Sequence, residues 1–107
     1  MALISLDEAK AYLRVDSADE DAMILSLILS AGVLVRDVGR LTDETWNKVN
    51  TEETEDDGTE VKSLRAILRV AMLYAIGYLF EHREEADHHD LVLTLRNLLF
   101  AVREGVL

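Results

Sequence analysis

The sequence contains no cysteine and no proline, and only five glycines in 107 residues. The absence of cysteine removes any disulfide framework and any thiolate chemistry. So few chain-breaking residues suit an all-helical chain and argue against a turn-rich β sandwich. Bases are also scarce: 11 lysines and arginines face 21 acids, a net charge of −10. That balance argues against phosphate binding through a basic face. No Ser-His-Asp order, glycine-rich phosphate loop or carboxylate pair in an apolar setting stands out, so an enzyme has little support. The start, Met-Ala-Leu-Ile-Ser-Leu-Asp-Glu, lacks the basic opening and apolar core of a signal peptide, which makes a cytoplasmic product the expectation.

What is present is hydrophobic helix. Half the residues are hydrophobic against 30% charged, far from the disordered regime. The length fits one domain, 1–107, whose modest burial leaves room for partners to complete its core. Val70 to Phe80 is eleven residues without a charge, closed by Glu81-His82-Arg83-Glu84. A helix apolar all round must be covered on all sides, and eleven residues are too few for a bilayer, which needs about 20. The expectation is a central helix buried in the protein, with no membrane.

Cap signals and periodicity predict the other elements. Ser5-Leu6-Asp7-Glu8 is a capping box, and Leu6, Ala9, Lys10 and Leu13 follow helical spacing, giving a short helix over about 6–14. Ser17-Ala18-Asp19-Glu20 reads as a second box before fourteen uncharged residues, Ala22 to Val35, with Gly39 as the stop. Ser26 and Ser30 mark either the less buried edge of this helix or the close approach of another. Over 41–59 the apolar period collapses into a long acidic loop with a helical turn near Asp43–Val49. Eight acids and one base between Leu41 and Glu60 place −7 of the net charge there. A third helix, 60–82, is capped by Thr59, with Arg65 and Arg69 as a wet stripe. A fourth, 88–104, is capped by Asp87 and carries Leu91, Leu95, Leu98, Leu99 and Val102. The fold class is therefore all-α: a small bundle of about four helices, one short, two long and one terminal.

Site-like clusters are weak. His82, His88 and His89 with Glu81, Glu85 and Asp90 match no closed zinc spacing and suit a solvated hinge at a helix end. The run Glu52–Asp57 lacks the alternating acids and central glycine of a calcium loop. No metal, cofactor or catalytic residue is assigned. Tyr12, Tyr74, Tyr78, Phe80 and Phe100 fall at core positions of helices. Trp46, an indole in an acidic loop, is either folded back on the body or docked on a partner. Two very apolar helices in so small a domain point to self-association.

Ser5-Leu6-Asp7-Glu8-Ala9-Lys10-Ala11-Tyr12-Leu13-Arg14-Val15-Asp16, followed by Asp19-Glu20-Asp21, resembles the opening of the head–tail connector proteins of long-tailed double-stranded DNA bacteriophages. These are also called head-completion or DNA-packaging adaptor proteins. Ala66-Ile67-Leu68 through Leu79-Phe80-Glu81-His82-Arg83-Glu84 is similar to the family's third helix, and Leu95-Arg96-Asn97-Leu98-Leu99 with Arg103 to its closing element. The chain departs from the family pattern at Asp87-His88-His89-Asp90, where a proline-bearing segment is frequent, and at Phe80 and His82, which replace tyrosine and asparagine.

The resemblance implies a non-enzymatic virion protein at the head–tail junction, assembled in the host cytoplasm. About a dozen copies would form a homo-oligomeric ring beneath the portal protein, extend its DNA channel without binding DNA specifically, and offer a platform to the next tail-joining or stopper protein. On that reading Leu6, Lys10, Tyr12 and Arg14 of the first helix, Trp46 of the loop, and Arg65 and Arg69 of the third helix are candidate subunit or partner contacts. Glu52, Glu53, Glu55, Asp56 and Asp57 would face the channel or a neighbour, where negative charge repels DNA phosphates. The alternative from the residues alone is a small acidic regulatory protein that mimics DNA or masks a basic surface, although its acids cluster in one loop instead of spreading over a helical face.

Overall fold

A computed structural model describes residues 3–51, 57–84 and 87–103. Glu52, Glu53, Glu55 and Asp56 of the acidic run lie outside the described residues, as does Glu85. Five helices, α1 (Leu6–Leu13), α2 (Asp21–Val38), α3 (Asp43–Val49), α4 (Thr59–Glu81) and α5 (His89–Leu98), are followed by a helical turn, Phe100–Arg103. The described residues include no strand. The fold is all-α, and the turn expected near Asp43–Val49 is a full helix.

α2 and α4 form the principal pair, with α1 and α5 packed on both and α3 on α4. α2 buries Ile24, Ile28, Ala31 and Val35 at three- and four-residue spacing. α4 answers with Leu68, Ala71, Met72, Ala75, Ile76 and Leu79, and α5 closes the end with Leu91 and Leu95. By length and composition α4 could cross a bilayer, but this row places it as the core helix of the bundle. Its uncharged run is not covered all round, however: Val70 is 58% and Tyr74 40% exposed. Tyr12, Phe100 and Leu98 are also outward, against their expected core positions. The bundle is thin enough that each long helix keeps one side toward solvent.

The helix ends show where local signals hold and where tertiary structure overrides them. At α1 both halves of the capping box form: Ser5 Oγ accepts from Glu8 N (3.1 Å), and Ser5 N donates to Glu8 Oε1 (3.3 Å). The second box does not form; Ser17 Oγ accepts from Asp19 N and caps a 3₁₀ turn, Ala18–Glu20, that leads into α2. Thr59 is the first residue of α4 and Gly58 its cap. Asp87 Oδ1 accepts from His89 N, while His88 occupies the cap position of α5. α5 ends at Leu98, short of the expected bound, and Leu99 still falls on the buried row of Leu91 and Leu95.

Two helices end in the same way without a glycine in the left-handed position. Val15 N donates to Lys10 O and Arg14 N to Ala11 O, with Arg14 at φ 60°. Leu41 N donates to Arg36 O and Arg40 N to Asp37 O, with Arg40 at φ 54°. Both are Schellman closures, which normally favour glycine at that residue. Gly39, expected to be the stop, keeps right-handed geometry at φ −75°. It is glycine for space, since a Cβ there would stand 3.0 Å from Val35 O and 3.4 Å from Leu41 Cγ. Arg40→Gly should therefore stabilise the fold by about 0.5–1 kcal/mol, the left-handed strain less the added chain entropy. Thermal unfolding would show a rise of a few degrees. Gly39→Ala should lower the transition instead.

Candidate subunit interface

The two arginines of α4 expected to be wet are structural ties. Arg65 is 4% exposed. Its Nε donates to Val49 O (3.3 Å), its Nη2 to Lys48 O (3.3 Å) and Thr51 Oγ1 (3.2 Å), and its Nη1 to the Asp57 carboxylate. One planar guanidinium thus collects the carbonyls at the end of α3, whose hydrogen-bond capacity the helix leaves open, and the acid that precedes α4. It pins both described ends of the acidic segment to the body. Asp57, expected to face a channel or neighbour, is turned inward to this arginine.

Arg69, one turn further along, donates through Nη1 to Leu3 O (2.7 Å) and through Nη2 to the Glu8 carboxylate. Leu3 and Ile4 are buried, and Leu3 N donates to Asn50 Oδ1 at 2.8 Å. The chain's first described residues are therefore stitched to the end of α3 and to α4. Glu8 serves both the α1 cap and Arg69. The hydrogen bond from Arg69, helped by the backbone bond to Ser5, holds its carboxyl below the usual glutamate range against the opposing effect of partial burial.

The other expected interface residues divide. Leu6 is half-buried against the core, and Lys10 forms an ion pair with Asp21 of α2 at 2.7 Å. Trp46 folds back on the body and packs over Gly32, where a Cβ would meet its ring at 3.6 Å. Tyr12 and Arg14 point outward. The histidine hinge is aromatic packing: His82 stacks on Tyr78 at 4.0 Å between ring centroids, and His88 meets Tyr78 edge-on at 6.2 Å. Arg83 reaches Glu20 at 3.6 Å and lies over the Phe80 ring. No metal-binding group of acids and histidines occurs among the described residues.

Apart from Tyr12, the outward apolar residues were not singled out as contacts from sequence. Leu25, Leu29 and Val33 form a row on α2, with Leu29 73% and Val33 69% exposed. Beside it Leu29, Gly32, Val33 and Trp46 line a groove of about 210 Å³. On α4, Val70 and Tyr74 are exposed, and a cleft of about 570 Å³ is lined by Tyr12, Arg14, Tyr74, Tyr78 and Glu81, with the Tyr12 ring lying over Gly77. The four-residue spacing of both rows was legible, but an uncharged run does not reveal which of its sides is covered.

Arg65→Met should cost about 3 kcal/mol, because it strands buried acceptors and removes one side of a buried ion pair. Arg65→Lys should recover only part of this, since one ammonium cannot span the same acceptors; chemical denaturation of the three proteins checks both. For Glu8 the folded carboxyl titrates below its unfolded value. Its contribution is complete above the unfolded value and is lost as pH falls through the lower, folded one. Glu8→Gln should cost about 1 kcal/mol at neutral pH, and the gap from the native protein should shrink on acidification.

Apolar rows are thus left outward on both long helices, while the arginines of α4 tie the chain's own segments together. No curated protein and no solved structure matches the chain. A family model described as "Phage gp6-like head-tail connector protein" matches residues 3–105, nearly the whole sequence. The family is a structural one of the bacteriophage virion, implying contact with portal and tail proteins, and this chain belongs to it: it is a phage gp6-like head–tail connector protein.

Proposed function

We propose that the chain, acting as one domain over 1–107, is a subunit of a ring of about a dozen copies. The ring sits beneath the portal of the filled head, continues the DNA channel and presents a platform to the next tail-joining protein. Assembly takes place in the host cytoplasm, and the role is mechanical, without catalysis. Family membership over residues 3–105 is the observation that carries the reading. Two features of the chain support it. Apolar side chains left outward on both long helices suit a protein completed by neighbours. A net charge of −10 suits a channel wall, since like charge lets DNA slide without sticking.

Within this reading the acids Glu52, Glu53, Glu55 and Asp56 face the lumen or a neighbouring subunit, and the Arg65–Asp57 pair fixes where that segment rejoins the body. Tyr12 and Arg14, outward at the end of α1, remain available to a neighbour.

Native mass spectrometry of the protein, alone and mixed with the portal of the same phage, tests the function. A closed ring, or stoichiometric binding to the portal, is the expected result. A monomer that ignores the portal would overturn it. Replacing Glu52, Glu53, Glu55 and Asp56 by their amides should weaken ring assembly or DNA retention; unchanged values of both would remove the acidic segment from the account.

A further inference from the structure

All three tyrosines of the chain and one of its two phenylalanines gather at one place. The cleft of about 570 Å³ where the end of α1 meets the end of α4 is lined by Tyr12, Tyr74, Tyr78 and Phe80, with Arg14 and Glu81 among them. Two of these rings are covered from within: His82 stacks on Tyr78, and Arg83 lies over Phe80. The other two are open, Tyr12 at 50% and Tyr74 at 40% exposure. A Cβ on Gly77 would stand 3.0 Å from the Tyr12 ring, so the bare glycine is what lets that ring lie against α4. Open phenol rings already held by helices offer apolar faces at little entropic cost on binding.

Arg14 is the second observation. It closes α1 in the left-handed conformation, at φ 60°, where glycine carries no strain. Among the described residues Lys10, Arg36, Lys48, Arg65, Arg69 and Arg83 each pair with an acid of the same chain. Arg14 is exposed and pairs with none, in a sequence of 21 acids to 11 bases. Backbone strain is thus kept at a residue whose charge has no internal use, which points to a use outside the chain. Arg40 shares the strain, but its pocket is formed with Arg36, Asp37 and Leu41 and holds no aromatic ring.

We propose that this cleft docks an extended, proline-bearing segment of a different protein of the particle, with one carboxylate of that segment on Arg14. The inference rests on the connector reading and names the surface that meets a non-identical partner. Aromatic-lined clefts favour extended proline segments, which lie flat on the rings and lose little chain entropy on docking. This sequence has no proline, so a second copy does not supply such a segment. Charge sets the rest. Arg14 offers a carboxylate two parallel hydrogen bonds, and tyrosine with arginine is the composition of binding hot spots. Glu81 lines the same cleft and forms no ion pair with Arg14. A single acid is therefore matched, whereas a run of acids, such as Glu52–Asp57 of another copy or a DNA strand, is repelled by Glu81.

Short overlapping peptides covering the portal and the tail-joining protein of the same phage are titrated against the full-length chain by fluorescence anisotropy. Native mass spectrometry follows the intact partners in parallel. The expected result is binding of a peptide that carries proline and an acid, weakened about tenfold by Arg14→Gly and by Tyr74→Ala. Arg14→Gly should at the same time raise the melting temperature by a few degrees, so that stability and binding move in opposite directions. Arg40→Gly relieves the same strain at the end of α2; it should raise the melting temperature as well and leave peptide binding unchanged. Binding that survives both cleft variants, falls equally with Arg40→Gly, or is as tight for peptides lacking an acid would overturn the proposal. No binding peptide, from a chain that still forms a ring or takes up an intact partner, would overturn the cleft and leave the connector reading standing. A chain that forms no ring and binds neither intact protein would overturn that reading, and this inference with it.

Discussion

The face shared by α2 and α4 is the constraint on which the rest of the structure depends. Three alanines, Ala31, Ala71 and Ala75, are fully buried among Ile24, Ile28, Val35, Leu68, Met72 and Ile76. Small residues among branched ones allow close, interdigitated packing of two long helices. The same packing uses only one side of each helix. A chain of 107 residues has too few other elements to cover the remaining sides, and α1, α3 and α5 take the edges. The outward Leu29, Val33, Val70 and Tyr74 are thus a consequence of how the core is built.

With so small a core, the connecting segments are held by long-range polar ties. Arg65 joins α4 to the end of α3 and to Asp57; Arg69 joins α4 to Leu3 and Glu8. Lys10–Asp21 and Arg83–Glu20 fasten α1 and the far end of α4 to the start of α2. Arg65 and Glu8 differ in character. Arg65 is deeply buried and has no substitute, whereas Glu8 is partly exposed and links the α1 cap to α4 through one carboxylate. Removing the first disturbs where the acidic segment leaves and rejoins the body; removing the second loosens the amino-terminal helix.

Much of this was legible in the sequence because much of it is local. The Ser5–Glu8 box follows from its cap residues, and the approximate extents of the two long helices and the all-α class from periodicity and the lack of proline. The positions that depart from expectation are those where distant residues decide. Ser17 and Glu20 have the spacing of a cap, but Ser17 Oγ accepts from Asp19 N and caps a 3₁₀ turn, while Glu20 lies beside Arg83. Arg65 and Arg69 have the spacing of a solvated pair, but the acceptors that bury the first and tie down the partly exposed second, Val49 O and Leu3 O, are sixteen and sixty-six residues away. Trp46 left two possibilities open, and Gly32, fourteen positions earlier, supplies the flat surface on which it rests. Membership of the connector family was legible from an ordered set of weak motifs, none of them decisive alone, and the family match covers the stretch over which they are spread.

A connector subunit must be stable before assembly and committed to neighbours after it. In the proposed assembly the fold separates these demands: the arginine ties and the α2–α4 core hold the monomer, and the uncharged outer rows would be left for neighbours. Hydroxyl-radical footprinting of the free protein and of the portal-bound assembly tests that division most directly. The account predicts that Leu29 and Val33 on α2 and Val70 and Tyr74 on α4 lose reactivity together on assembly, while the buried core is unchanged. Undiminished reactivity at both rows in the assembled state would contradict it.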